Sequence, residues 1–315
     1  MISKVLESIK PVIEQAEHVT LNTGRLDDFC AGFTGLDSSF KSPFRAVRLS
    51  PQDKLQLDLA YNAANFCYWG DPKWTIHYQG REISGAYGMK AAFNRALEEG
   101  VRLLDPAYLQ TLSETDFAQI TRGTGTLPLF HERIRFLHQI GIILKERYGG
   151  KATNVIAAGE GDALRLLDEI TTNFPCYSDT ATYKGREVLF HKRAQLLTYN
   201  AHKVLEAQGK GLTRTEELTA LADYKVPQLL RNRGVLQYAP ELAGRIDTYQ
   251  EIPAGSPEEV EIRAFTLEAV DQMVVNLRPR FPGLKAIDLD RWLYLESKKT
   301  SPSDRPHHRA LTTAH

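Results

Sequence analysis

The residues best suited to chemistry in this chain lie in Leu221-Ala222-Asp223-Tyr224-Lys225-Val226-Pro227-Gln228. The pattern from Tyr224 to Arg233 predicts a short helix. Pro227 is tolerated in its first turn, where the missing N–H has no intrahelical partner, and Gly234 ends it in the left-handed conformation. Asp223 then falls at the N-cap, where backbone N–H groups and the positive end of the helix dipole hold a carboxylate ionised. Such a group either only caps the helix or, facing a cleft, stabilises positive charge as it develops in a reaction. A preceding helix is also predicted, opened by Thr213 and Glu216 as a Thr-x-x-Glu capping box with Leu218 and Leu221 on its apolar edge. Asp223 would sit in the corner between the two helices.

Three other groups could contribute. Lys192-Arg193 opens a predicted helix, His191 to Ala207, where cations are disfavoured by the dipole; the pair either binds an anion or is simply solvated. Phe66, Tyr68, Trp69 and Trp74 form either a stacking wall or core. The tail Pro306-His307-His308-Arg309 reads as disordered polar chain or as a phosphate clamp. Metal chemistry is not expected, because His138 lies seven residues beyond His131-Glu132, too far for one ion on one helix turn. Gly123-Thr124-Gly125 lacks the residues of a phosphate-binding loop, and there is no serine nucleophile elbow.

The elements that must position these groups are mostly helical. Ile2, Val5, Ile9, Val12 and Ile13 predict an amphipathic first helix, and Leu26 and Phe29 a short second one. Ser50-Pro51 starts another, with Leu55, Leu59, Asn62 and Phe66 on one face. Trp74–Tyr78, Gln79-Gly80 and Arg81–Ser84 read as a β-hairpin, and a second hairpin spans Thr182 to Phe190 around Lys184-Gly185. Further helices are predicted around Met89–Leu97, from Leu127 to Tyr148, at Ala163–Asn173, from Ser256 to Leu277, and around Asp288–Lys298. The fold class expected is mainly α with small antiparallel β-hairpins. The 315 residues form a single compact unit, with approximate lobes at 1–150 and 151–315.

Lys+Arg and Asp+Glu are equal at 39 each, and the pI is near 7.1, which removes the basic field that a nucleic-acid polymer partner requires. Cys30, Cys67 and Cys176 are odd in number and far apart, which fits a reducing cytoplasmic setting better than a disulfide framework. No apolar run approaches membrane-spanning length, and the start does not read as a signal peptide.

Asn65-Phe66-Cys67-Tyr68-Trp69, the hairpin ending in Ser84-Gly85, Asn94-Arg95-Ala96-Leu97-Glu98-Glu99-Gly100, Lys192-Arg193-Ala194-Gln195, the Leu221–Gln228 stretch and Pro306-His307-His308-Arg309 occur in this order. Together, from about residue 40 to the end, they resemble the queuosine salvage family of queuosine 5'-phosphate N-glycosylase/hydrolases. The resemblance implies a fold similar to helix-hairpin-helix DNA glycosylases, hydrolysis of queuosine 5'-monophosphate to queuine and ribose 5-phosphate, a small free nucleotide as partner, and no cofactor or metal. Asp223 matches the family's catalytic carboxylate. Asp290, in Leu289-Asp290-Arg291-Trp292, matches an acid suited to the base, with Arg291 at the adjacent binding position. Leu221 stands where some relatives carry an aromatic residue, and Leu295 where a second acid is expected, leaving Glu296 as its substitute. Tyr68, Trp69, Leu221 and Tyr224 are expected to line the substrate site, and Lys192, His308 and Arg309 to hold the phosphate. The competing readings are a base-excision glycosylase acting on polymer and a helical nucleic-acid-binding module without chemistry.

Overall fold

Ser3 opens α1 (Lys4–Gln15): its hydroxyl accepts the Val5 N–H at 3.3 Å, and Val5, Ile9 and Val12 are buried on one side. The computed structural model describes residues 3–36, 42–299, 301 and 303–315; Ile2 lies outside them. Strand β1 (Val19–Leu21) and α2 (Thr23–Ala31) follow. Ser50 caps α3 (Pro51–Ala63) by accepting the Asp53 N–H at 3.1 Å. The first hairpin is β2 (Thr75–Tyr78) against β3 (Arg81–Ser84), turning at Gln79-Gly80, both at positive φ. Then come α4 (Gly85–Glu98), α5 (Pro106–Gln110), α6 (Glu114–Ile120), α7 (Phe130–Tyr148), α8 (Ala152–Ala158) and α9 (Ala163–Asn173). The second hairpin pairs β4 (Thr180–Tyr183) with β5 (Arg186–Leu189) around Lys184-Gly185. The chain closes with α10 (Lys192–Glu206), α11 (Lys225–Asn232), β6 (Leu236–Tyr238), α12 (Pro240–Asp247), α13 (Pro257–Leu277) and α14 (Ala286–Glu296).

The protein is therefore mainly helical with small antiparallel strand pairs. Helix α7 starts at Phe130 rather than Leu127 because Leu129 sits at φ 51°, outside the helical region, and α14 ends two residues before Lys298. None of the described helices is long and apolar enough to cross a membrane. Strands β1 and β6 pair antiparallel, Val19 opposite Tyr238, although more than two hundred residues separate them in sequence.

Buried apolar residues fall into two clusters. One spans Phe44 to Leu218 and takes in Ile287; the other joins α1 and α2 to the second hairpin and to α11–α14. The segment before Asp223 runs where they meet. It is not the expected helix: only Thr215–Glu217 forms a single 3-10 turn, and the chain from Leu218 to Asp223 is neither helix nor strand. The Thr213 N–H is spent on Gly161 C=O, at 2.9 Å, so Thr213 opens nothing. Farther on, side chains satisfy the backbone in place of helical bonds. Gln195 accepts the Thr219 N–H at 2.8 Å, and Asp290 accepts the Leu221 N–H at 3.0 Å.

Candidate active site

The irregular segment delivers Asp223 to the start of α11, two residues before Lys225. Its Oδ1 accepts the Lys225 N–H at 2.7 Å and the Val226 N–H at 3.2 Å, while its Oδ2 takes no hydrogen bond from any described residue. The capping predicted from sequence is present, and it leaves one carboxylate oxygen for the cavity that Asp223 lines. Asp290, on α14, is 4 % exposed and faces the same cavity. Burial raises its carboxyl well above the usual range, and the nearby Asp223 pushes it the same way; the Leu221 N–H and Lys192 only partly oppose this. Two carboxyl groups thus flank one cavity, one fixed by two backbone amides and the other buried and held towards its neutral form, a pairing suited to dividing electrostatic and hydrogen-bonding roles between them.

Lys192 lies at the start of α10, where Asp179 accepts its N–H at 3.0 Å and so caps the helix from the preceding hairpin. The side chain is buried and lines the cavity. Burial lowers its ammonium, while Asp223 and Asp290 draw it back up. Arg263, on α13, ties this helix start to the Asp223 segment: its Nη2 donates to Asp179 Oδ2 at 2.7 Å and its Nε to the Ala222 carbonyl at 3.2 Å. The guanidinium also lies 3.8 Å from the Phe190 ring centre and within 3.6 Å of Glu259, whose carboxylate meets the His315 ring at 2.9 Å.

A second buried arginine, Arg133, holds the opposite wall. It donates to the carbonyls of Ala64, Phe66 and Cys67, pinning the loop that carries Tyr68 and Trp69 and in which Cys67 adopts φ 44°. Trp69 donates its indole N–H to the Ala310 carbonyl at 3.1 Å, so the C-terminal segment packs against this loop. The cavity, partly open to solvent, measures about 780 Å³, room for a nucleotide.

The profile of the queuosine salvage protein family matches residues 49–313. The chain belongs to that family. A queuosine 5'-phosphate N-glycosylase/hydrolase from Sphaerobacter thermophilus is 38% identical over 98% of this chain and 96% of its own length. Proteins of the same name from Nematostella vectensis and Mus musculus are 33% and 34% identical, over 73% and 67% of this chain and 70% and 64% of theirs.

Of the family positions expected from sequence, the structure brings Tyr68, Trp69, Lys192, Leu221, Asp223, Tyr224, Asp290, Arg291 and Arg309 to the one cavity. His308 does not line it. That ring is 2 % exposed and packed beside His315, because the Arg309 carbonyl accepts the Ile252 N–H at 2.7 Å and fixes the tail against the body; its neighbour His307 faces the cavity instead. Glu296 does not line the cavity. Helix α14 presents Ile287, Asp290, Arg291 and Tyr294 to the cavity, and Ser297 and Lys298 line it from the turn that follows, whereas Glu296 pairs with Lys299. Lys192-Arg193 is not a solvated pair: Arg193 is buried and donates to the carbonyls of Asn62, Ala63 and Cys176. Of the four aromatics, Trp74 is core, its indole bonded to the Thr121 carbonyl. Sequence reasoning missed Lys54, Asp58 and Tyr61, which line the cavity from α3. Their four- and three-residue spacing beside the apolar stripe was the available signal.

Proposed function

We propose that this chain hydrolyses the N-glycosidic bond of queuosine 5'-monophosphate, releasing queuine and ribose 5-phosphate in queuine salvage. The reading is supported by family membership, by the names of the relatives, and above all by one observation: Asp223 is anchored through Oδ1 by two amides and has Oδ2 unoccupied beside the cavity. Departure of the base builds positive charge on C1' and the ring oxygen of the ribose. A fixed carboxylate beneath that carbon stabilises the charge and orients or deprotonates the attacking water. Queuine is a 7-deaza base and cannot be protonated at N7, so its departure must be assisted at its other edge. Asp290, held towards its neutral form, offers one donor and one acceptor to that edge. Tyr68, Trp69 and Leu221 supply apolar walls, Tyr224 and Arg291 complete the lining, and Lys192 balances the two acids.

The site draws on both apolar clusters, so the whole chain is the proposed active unit. Its kinship with helix-hairpin-helix DNA glycosylases is part of the proposal and rests on the carboxylate at the start of α11, since the segment before it is not a helix. The proposed setting is the cytosol, in keeping with three free cysteines, all buried. Equal numbers of acidic and basic residues argue against a polymeric substrate and against a purely nucleic-acid-binding role. The deciding experiment incubates the protein with queuosine 5'-monophosphate, the nucleoside and intact modified tRNA, and follows release of queuine. Preference for the free nucleotide is expected; preference for tRNA overturns the substrate assignment.

A further inference from the structure

Lys73, Lys225 and Lys298 line the same cavity from three different elements: the loop before β2, the first residue of α11, and the turn after α14. None of the three has a carboxylate of a described residue within 4 Å. The Lys225 ammonium bonds only the Gln228 amide oxygen, and that of Lys298 lies 4.5 Å from the centre of the Tyr294 ring. With no ion pair among the described residues, and with Asp223 acting on both Lys225 and Lys298 only from beyond 4 Å, three gathered cations favour an anion between them. Lys192 shares Asp223 with them but also faces Asp290 and Asp179, so a dianion would meet more negative charge there.

We infer that the terminal phosphate of the substrate is bound by Lys73, Lys225 and Lys298, beside Arg309, and that Lys192 belongs to the sugar and base end of the cavity. This deepens the nucleotide reading above and rests on it. It also gives the substrate a direction, with the phosphate at the end of α14 and the base near Asp290, nearly two turns back along the same helix. A terminal monoester carries up to two charges on three free oxygens and suits three separate donors. A phosphodiester within a polymer has one charge and two free oxygens, and must continue past the lysines.

The cluster has a pH signature. Crowding by the surrounding protein, Lys225 and Lys73 brings the Lys298 ammonium down to about 8, with Asp223 the opposing charge; Lys225 itself faces Asp223, Lys73 and Asp304. As pH rises through about 8 in the free enzyme, Lys298 loses its charge and kcat/KM for the monophosphate falls.

The test uses the purified full chain and its Lys73→Gln, Lys298→Gln and Lys298→Arg variants, with queuosine 5'-monophosphate and queuosine as paired substrates. Each Gln variant should lower kcat/KM for the monophosphate about tenfold or more relative to the nucleoside, the scale of one charged hydrogen bond. Lys298→Arg should retain most of the preference and lose the alkaline fall near pH 8. Titration with ribose 5-phosphate should show weakened affinity in both Gln variants. Equal losses on the two substrates, or unchanged ribose 5-phosphate affinity, overturn the inference. A wild-type protein that hydrolyses neither substrate sinks the function instead, and the ribose 5-phosphate titration then still decides the lysine site.

Discussion

Nη2 of Arg263 donates to Oδ2 of Asp179 at 2.7 Å, and both side chains are almost wholly buried. Asp179 in turn holds the N–H of Lys192, and the same guanidinium reaches the carbonyl of Ala222. One arginine therefore sets the spacing between the start of α10 and the segment that carries Asp223. Arg263→Gln should cost on the order of 3–5 kcal/mol, because it strands a buried carboxylate. Arg263→Lys keeps the charge but cannot span both acceptors. Its folded fraction, counted by ribose 5-phosphate binding, should show kcat reduced about tenfold with KM little changed. Wild-type kcat in that fraction would limit Arg263 to holding the core.

Asp223→Asn should abolish most turnover, by roughly a thousandfold in kcat, the scale of losing a central electrostatic group. The fold should survive, since Asn caps a helix start nearly as well as Asp. Base release measured alongside thermal unfolding checks both halves. A variant that keeps full activity removes Asp223 from the chemistry.

Asp290→Asn should be milder than Asp290→Ala. The amide can accept the Leu221 N–H as the carboxyl does and is uncharged, as Asp290 tends to be. A fall in kcat/KM of about ten- to a hundredfold is expected for Asn, and more for Ala, which strands the Leu221 N–H. If the two lower kcat/KM equally, the hydrogen bond to Leu221 plays no part in shaping the base end.

Acid should weaken the fold through Glu259. Burial pushes its carboxyl up, but Arg263 and the His315 ring outweigh burial and hold it at about 2, below the ordinary 4.5. A depressed folded value means stabilisation that is complete above pH 4.5 and lost as pH falls towards 2. The linkage is worth about 3 kcal/mol. Urea unfolding across that window should show a steep loss of stability, and Glu259→Gln, though less stable at neutral pH, should show a shallower slope. An unchanged slope would place the acid sensitivity elsewhere.

Local chemistry was legible in the sequence, and distant chemistry was not. The hairpin at Gln79-Gly80 and the long helices announce themselves through turn residues and apolar spacing, and Asp223 through the α11 start. Helices α5, α6, α8 and α12 are too short to establish a period. The helix expected before Asp223 fails because Gln195 and Asp290, distant in sequence, supply the hydrogen bonds that would otherwise come from helical neighbours. His308 and Lys298 were misjudged or missed for a related reason. Which of two adjacent tail residues turns inward, and which lysine joins a cationic cluster, depends on partners far along the chain.

The pairing of β1 with β6 gives the protein an order of events in synthesis. Helix α1 leaves the ribosome well before β5 and α13, which help to cover Val5, Ile9 and Val12, and β1 has no neighbouring strand until Leu236 has been made. The leading segment must therefore wait as an unsatisfied apolar helix while the intervening body folds behind it. Nascent chains arrested before α13 should expose that helix to chaperones and proteases, and β1 would find its partner only once residues more than two hundred positions further along have been made.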